Sequence, residues 1–286
     1  MWPMAPPGLS LKVRIARPSD ARLVARLVTR SAGSRDYVLR ILDEVIVDKS
    51  LFLAWNDDEL VGMTHLDKAL DGSGWLSMAR TDPDWRRRGI ALFLQQYVAR
   101  YGAKRGLRAL RLWTLATNTP AIQACAKGGF KPVCEAAHIS CSIRGRRTTN
   151  PLSAVEPMNR DMLALRQSPY LREMNHYFAY SWYFVKFTRK LLRKLLRRGE
   201  LYLAEESIFV LAQPDMSFGA PYCSFALLNG PAVSSLQRVR KAAAKFGRVR
   251  LGGYVPYNVH LLKRAEEAGF KRSSWANRCI VFEKRI

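Results

Sequence analysis

The sequence predicts an α/β fold built from two consecutive units. Residues 76–130 read as strand, turn, helix, strand and helix, because short apolar runs alternate with apolar residues spaced three and four apart. Residues 223–284 repeat this order of elements. A chain of 286 residues, 48% of them hydrophobic, is long enough for two domains of about 150 residues, each with its own core.

The elements of the first half can be predicted from its apolar residues and from the glycine and proline residues that bound them. A mostly apolar run at 76–81 precedes Pro83, which is typical of a strand that ends in a turn. A second strand is predicted at 107–115, and a second helix from Asn118 to the Gly128–Gly129 pair. The first helix begins at Ile90 and shows helical spacing at Phe93, Leu94, Tyr97, Val98 and Tyr101.

The turn before the first helix carries an anion-binding pattern. Arg86, Gly89 and Ala91 stand at the spacing R-x-x-G-x-A where the strand ends and the helix begins. The first N–H groups of a helix have no partner within it, the helix dipole is positive at this end, and a glycine lets a ligand approach closely. This turn therefore predicts a pyrophosphate site. A different phosphate-binding fold is the alternative, because such short motifs also occur by chance.

Together these residues resemble the GNAT superfamily of acetyl-coenzyme A-dependent N-acyltransferases. In that family the turn Q/R-x-x-G-x-G/A holds the coenzyme pyrophosphate, often with a proline three residues before the arginine, as Pro83 is here. The family's later helix opens with Asn, has Ala three residues on and closes in Gly-Phe, matched by Asn118, Ala121, Gly129 and Phe130. The resemblance covers roughly residues 11–143. It implies mixed, mainly antiparallel sheets flanked by helices, and N-acetyl transfer from acetyl-CoA, a co-substrate, to an amine.

The resemblance also implies positions around the coenzyme. The thioester arm would lie beside the strand before the turn, at Ala79, Arg80 and Thr81. The pyrophosphate would be held at Arg86, Arg87, Arg88, Gly89, Ile90 and Ala91. Asn118 would reach the arm from the next helix, and no metal is implied.

Two positions differ from the family pattern. Many members place a proton-donating Tyr seven residues after that Asn, where this chain has Cys125, and some place a Glu base five residues before it, where this chain has Trp113. A free thiol has a pKa of about 8.5, so Cys125 is a candidate proton donor, with a buried apolar role as its alternative. His65 and Asp67 lie on a predicted strand and are candidate bases acting through water.

The absent Glu favours an acceptor that loses its proton easily. An α-amine with a pKa of about 7.8 is partly neutral at pH 7, whereas a lysine side chain with a pKa of about 10.4 is almost fully charged. We therefore expect a small amine, an amino acid or a protein N-terminus as the acceptor.

The second half repeats the helix ending but lacks the anion-binding turn. Asn258 precedes Gly269 and Phe270 by the distance seen in the first half, although Gly after a helix is common enough for chance to be the alternative. The turn LNGPAVSSL has no Arg or Gly at the phosphate-gripping positions. We predict a flexible tail at 1–10, a GNAT acetyltransferase domain at 11–147, a boundary at 144–151, and a GNAT-like domain at 151–286 without the coenzyme motif.

A formal net charge of +24 is spread over both halves. Such a field attracts nucleic acid and speeds the approach of coenzyme A, and a general solvated surface is the alternative. Residues 184–197 are predicted to form one helix with leucines on one side and Lys and Arg on the other. We expect its apolar side in the core, with a membrane surface as the alternative.

Several classes of protein are disfavoured. No apolar run approaches the about 18 residues of a membrane span, and the first residues do not read as a secretory signal. The five cysteines form no C-x-x-C pair and the four histidines are scattered, which supports neither a disulfide framework nor a zinc site. We expect a cytoplasmic enzyme. A sensor that binds acyl-CoA without turnover, or a basic protein associated with nucleic acid or ribosomes, is the alternative, and the oligomeric state is open.

Overall fold

The computed structural model describes residues 3–144, 159–215, 221–247 and 249–286. They group into two compact units. The first holds the residues up to Leu112 together with Asn118–Lys131 and Phe282–Ile286, and the second holds Trp113–Thr117 and Pro132–Val281. The predicted domain limits meet at 144–151, and all of these boundary residues after Arg144 lie outside the described part of the chain.

The strands, in chain order, are β1 (Leu11–Ile15), β2 (Leu51–Asn56), β3 (Glu59–Lys68), β4 (Gly74–Thr81), β5 (Ala109–Leu115), β6 (Lys131–Ile143), β7 (Tyr177–Tyr180), β8 (Tyr183–Lys186), β9 (Leu201–Ala204), β10 (Ser207–Leu211), β11 (Tyr222–Asn229), β12 (Val249–Pro256), β13 (Lys271–Arg272) and β14 (Cys279–Arg285). The helices are α1 (Ala21–Ala32), α2 (Val38–Val47), α3 (Ile90–Lys104), α4 (Thr119–Lys127), α5 (Asn159–Gln167), α6 (Pro169–Glu173), α7 (Arg189–Arg197), α8 (Ala232–Ala243) and α9 (Val259–Glu267).

The first unit is built on strands in the order β1-β2-β3-β4-β5. The pairs are antiparallel except for β4 and β5, which run parallel. Consecutive residues of a strand point to opposite faces of the sheet. On β3, Met63 packs in a buried cluster with Val24 of α1 and Leu42 of α2, whereas a Cβ on Gly62 would lie 2.9 Å from Ile90 Cγ2 of α3. The sheet therefore carries α1 and α2 on one face and α3 on the other.

The second unit has strands in the order β6-β12-β11-β10-β9, and β13 also pairs with β6. Here β11 and β12 are the parallel pair, and α8 connects them as α3 connects β4 and β5. Its core includes Phe209, Phe225, Leu236, Leu262 and Phe270. The predicted mixed, mainly antiparallel sheets flanked by helices are confirmed, and β4, α3, β5 and α4 each begin within two residues of the prediction.

The predicted helix over 184–197 is wrong in its first part. Residues 183–186 form strand β8, because they pair in antiparallel register with β7. The helix α7 begins only at Arg189, after Thr188 caps it by accepting a hydrogen bond from the Leu191 N–H. Its residues Leu191, Leu192 and Leu195 are buried, as expected for a helix packed on a core. No helix in the described residues is long and apolar enough to cross a membrane.

One buried arginine joins three segments of the first unit. The Arg111 guanidinium is only 4% exposed and contacts the carboxylates of Asp71 and Glu283 and the hydroxyl of Ser73. The two carboxylates raise the pKa of Arg111, although burial acts in the opposite direction. The charge is thus paired on both sides, which is the condition for a buried cation to be tolerated.

In the second unit His138 is buried among aromatic side chains. Its Nδ1 is hydrogen-bonded to Ser273 Oγ at 2.7 Å and its Nε2 to the Tyr222 hydroxyl at 2.9 Å. Burial, together with the charge of Arg250, lowers the pKa of His138 to about 4. The imidazole is therefore neutral at pH 7 in the folded protein.

Replacement of Arg111 by Ala is expected to lower the free energy of unfolding by about 3–5 kcal/mol, because two partly buried carboxylates lose their partner. Chemical denaturation followed by circular dichroism measures this change. Arg108→Ala, at an exposed position, is the control and should stay within about 0.5 kcal/mol of wild type. An equally small effect of Arg111→Ala would contradict this role.

The stability of the second unit should depend on pH through His138. The unfolded chain takes up a proton at this residue near a pKa of about 6.5, whereas the folded chain resists it until about pH 4. Stability is therefore complete above pH 6.5 and falls by about 3 kcal/mol as the pH drops through this window. Denaturation at several pH values should show a steeper acid loss in wild type than in His138→Gln. Equal slopes would contradict the assignment.

Candidate functional site

Strand β4 leaves its neighbour β5 soon after it begins. The parallel register joins Gly74 to Leu110 and Trp75 to Arg111 and extends no further among the described residues. On its other side β4 continues to pair with β3 as far as Thr81. One edge of β4 therefore diverges from its partner after Trp75, and its backbone polar groups there can pair with an extended ligand in the manner of an added strand.

A bulge re-aims β4 within this free edge. The register with β3 shifts between the pair Met63–Arg80 and the pair His65–Ser77, and Met78 adopts φ of +54°. Bulges of this kind bend a strand and turn its side chains. The Met78 side chain is buried with α1 and α2, and Ala79 is exposed on the outer side of the bulge.

The turn from β4 to α3 is held in a defined shape. Asp82 accepts a hydrogen bond from the Asp84 N–H at 3.1 Å, and Trp85 Nε1 donates to Glu59 at 2.9 Å. Arg87 has φ of +64° and Gly89, directly before α3, has φ of +80°. Glycine adopts this left-handed conformation without strain, which explains its place in the R-x-x-G-x-A pattern.

The start of α3 offers a row of backbone donors. Within the described residues, the N–H groups of Arg87, Arg88, Gly89, Ile90 and Ala91 donate no hydrogen bond to the protein, and the ladder of α3 begins when the Phe93 N–H donates to the Gly89 carbonyl. Consecutive free N–H groups at the positive end of a fifteen-residue helix form an anion site. The predicted pyrophosphate residues are thus together on one turn.

The arginine side chains of this turn have different environments. Arg86 reaches back to α1 and donates to the Ser31 carbonyl at 2.9 Å. Arg88 lies over the Trp85 ring, with its Cζ 4.9 Å from the ring centroid. Arg87 is exposed and makes no ion pair with the described residues. All three arginines are exposed and stand beside the free N–H groups of the turn.

The N-terminal segment packs beside this turn. The Leu9 side chain joins the cluster of Ile90 and Leu94, and Pro6 contacts Gly89 so closely that a Cβ there would lie 3.1 Å from the proline ring. The predicted flexible tail at 1–10 therefore includes residues with defined contacts at the anion site.

Asn118 and Cys125 lie on or before α4. Asn118 is exposed, and its Oδ1 accepts a hydrogen bond from the Ala121 N–H at 3.3 Å, so it caps the helix. Its amide nitrogen is left for another partner. The Cys125 thiol is 2% exposed, and burial raises its pKa to about 11, so it keeps its proton at neutral pH. Its suggested role as proton donor stays a prediction.

A cluster of polar side chains lies beside the β4 bulge, on the face of the sheet that carries α1 and α2. His65 Nδ1 is hydrogen-bonded to Ser77 Oγ at 2.9 Å, and burial lowers the pKa of His65, which favours a neutral imidazole. Arg80 forms an ion pair with Asp36 at 2.7 Å and lies 6.0 Å from the centre of the Tyr37 ring. The predicted arm residue Arg80 thus links β4 to the segment before α2.

Sequence reasoning missed Asp36, Tyr37 and Ser77. Burial raises the pKa of the Tyr37 hydroxyl, an effect that the charge of Arg80 opposes. The one local signal was Asp36 before a helical pattern, because its carboxylate accepts a hydrogen bond from the Val38 N–H at 2.9 Å. Asp67, the other candidate base, is half-buried on β3 two residues after His65.

The matching region of the second unit has a shorter turn that contacts α6. Only two residues separate β11 from α8, whereas eight separate β4 from α3. Helix α6 packs against both β11 and β12. The Tyr170 hydroxyl of α6 donates to the Gly230 carbonyl at 2.6 Å. The Glu173 carboxylate of α6 accepts a hydrogen bond from the side-chain amide of Asn258 at 3.1 Å. The equivalent of Asn118 therefore already has a partner, and the turn is held to α6 through the Gly230 carbonyl.

Part of the first half of the chain matches a known protein family. Residues 25–130 match the model of the acetyltransferase (GNAT) family. A search of curated proteins gave no significant match. The fold is also found in a protein of Thermoplasma acidophilum assigned as an acetyltransferase, with 15% identity and a TM-score of 0.61, over 96% of this chain and 100% of that one.

Two further solved structures are similar over the same length. A GCN5-related N-acetyltransferase of Sphaerobacter thermophilus has 14% identity and a TM-score of 0.56, over 96% of this chain and 95% of that one. A protein of Pyrococcus horikoshii assigned as an acetyltransferase has 15% identity and a TM-score of 0.52, over 96% and 89%. At these identities the likeness shows the fold alone.

Proposed function

We propose that this chain, whose residues 25–130 form a domain of the acetyltransferase (GNAT) family, transfers an acetyl group from acetyl-CoA to an amine. The observation that carries the proposal is the row of free N–H groups from Arg87 to Ala91 at the start of α3, directly after the diverging edge of β4. Phosphates and an extended polar arm need these two features side by side.

The residues of the turn and strand fit the coenzyme. Backbone donors at Arg87–Ala91 suit a pyrophosphate, and the left-handed Gly89 keeps side-chain atoms out of its path. The free edge of β4 at 79–81 suits the amide-containing arm. Asn118, whose Oδ1 caps α4, has its amide nitrogen free to donate to the same arm. The acetyl thioester supplies an activated carbonyl for attack by an amine.

The reaction then needs a neutral amine and a stabilised oxyanion. Backbone N–H groups at the β4 bulge, around Met78, are the donors nearest the diverging edge. His65 is our preferred base, because its lowered pKa favours the neutral form and it is hydrogen-bonded to Ser77 of β4, the strand that carries the bulge. It is buried, so a proton from the acceptor reaches it through Ser77 or water.

The acceptor that suits this site is an amine with a low pKa. Since a Glu base is absent at the position of Trp113, an α-amine that is partly neutral at pH 7 needs less help than lysine. We therefore propose an amino acid, another small amine or a protein N-terminus as the acceptor.

Calorimetric titration of acetyl-CoA into the full chain tests this proposal. Wild type should bind with micromolar affinity, and the double variant Arg86→Glu, Gly89→Glu should bind at least about 100-fold more weakly, because it puts acidic groups at the anion turn and strains the backbone at Gly89. The control Arg22→Glu, Arg26→Gln changes the net charge equally at exposed positions of α1 and should bind as wild type does.

Turnover is measured next with a panel of amino acids, small amines and peptides. Acetylated product would support the enzyme. Binding without product from any acceptor would favour the non-catalytic sensor, and no binding to the folded wild type would contradict both. If the control variant lost as much affinity for acetyl-CoA as the double variant, the effect would be due to the change in net charge alone.

A further inference from the structure

Helix α7 presents a row of cations that its own fold does not require. Its buried side consists of Leu191, Leu192 and Leu195. The other side is exposed and carries Arg189, Lys190, Arg193, Lys194 and Arg197, which we call the α7 cationic face. The nine residues of α7 include no acidic side chain.

Four of these cations have no acidic partner among the described residues. Among the described residues, Arg189, Lys190, Arg193 and Arg197 make no ion pair, and the nearest pair along the chain joins Arg198 to Glu200. A helix of nine residues is about 13 Å long, so five cations are spaced about 3 Å apart along its axis. They repel one another, and this repulsion lowers the stability of the isolated helix.

Two of the cations also stand at the unfavourable end of the helix. Arg189 and Lys190 occupy the first turn, where the helix dipole is positive and acidic residues are preferred. Helix stability therefore does not explain them. An external polyanion would stabilise all five charges at once.

The buried side of the helix argues against a lipid surface. Amphipathic helices bind membranes by inserting their apolar side, but three of the four leucines of α7 are packed in the core and the fourth, Leu196, is partly buried. The aromatic residues just before the helix are committed too, because Tyr177, Phe178 and Phe184 of the β7–β8 hairpin are buried. What remains exposed is charge without an inserting group.

A nucleic-acid duplex matches such a surface. Duplex DNA carries one negative charge per about 1.7 Å of its axis, which offers partners for closely spaced cations. Single-strand binders add exposed aromatic rings on which bases stack, and α7 has none. We propose that the α7 cationic face binds the phosphate backbone of a nucleic-acid duplex without reading its bases. This inference does not rest on the proposed acetyl transfer.

The test uses the full chain and a fluorescently labelled duplex of about 20 base pairs, made once as DNA and once as RNA. Fluorescence anisotropy is measured over a range of salt concentrations. With five phosphate contacts, the slope of log K against log salt for wild type should be about −4 to −5. For the variant Arg189→Gln, Lys190→Gln, Arg193→Gln, Arg197→Gln, the slope should be smaller in magnitude by about 3–4. Its affinity at low salt should be at least about 100-fold weaker than that of wild type. Gln is used because it keeps a good helix propensity.

A matched control removes four exposed cations elsewhere. The variant Arg22→Gln, Arg26→Gln, Lys241→Gln, Lys263→Gln changes the net charge equally, and none of these side chains makes an ion pair with the described residues. It should stay within about 3-fold of wild type at matched salt. If the four-site α7 variant fails to fold, Arg193→Gln, Arg197→Gln should still lose about 2 units of slope.

Three outcomes would overturn the proposal. Wild type that does not bind duplex at low salt would do so. So would a control variant that loses as much affinity as the α7 variant, because the effect would then belong to net charge. Binding to vesicles of anionic phospholipid that is stronger than duplex binding, and equally sensitive to the α7 changes, would assign the surface to a membrane.

Discussion

The divergence of β4 from β5 is the constraint on which the candidate site depends. If the two strands stayed paired beyond Trp75 and Arg111, the polar groups of β4 would be satisfied within the sheet and no ligand could add to its edge. The bulge at Met78 and the rigid turn that follows both lie on this free stretch. A long turn then delivers the chain to α3 with several N–H groups unused. The edge and the helix start together form one continuous polar path.

Arginine contacts hold this path against the segment that begins α2. Arg80 pairs with Asp36, so the strand is tied to the segment between α1 and α2, and Arg86 donates to the Ser31 carbonyl, so the turn is tied to the end of α1. The second unit has the same order of elements but a different solution. Its turn is short, α6 holds the turn through the Gly230 carbonyl, and Glu173 of α6 accepts from Asn258. One chain therefore contains a long and a short version of the same turn.

Local features of the sequence predicted much of this. The spacing of apolar residues gave β4, α3, β5 and α4, and Gly89 was predicted to lie in the turn because it lets a ligand approach closely. Its left-handed conformation is a finding of the structure. The pair of Arg80 with Asp36 could not be predicted, since it depends on how α1 and α2 pack. The strand β8 was predicted as helix because the apolar residues at 184 and 187 have helical spacing, whereas pairing with β7 makes 183–186 a strand. The contacts of α6 could not be predicted either, because they join segments that are far apart in the sequence.

Hydrogen exchange of the full chain, with and without acetyl-CoA, tests the central claim most directly. It reads the backbone amides of both turns in one experiment. We predict slower exchange at residues 87–91 when acetyl-CoA is added, and unchanged exchange at residues 230–236, where the turn has only two residues and one of them, Pro231, has no N–H. Protection at residues 230–236, or no protection at residues 87–91, would contradict the assignment of a single anion turn in the first unit.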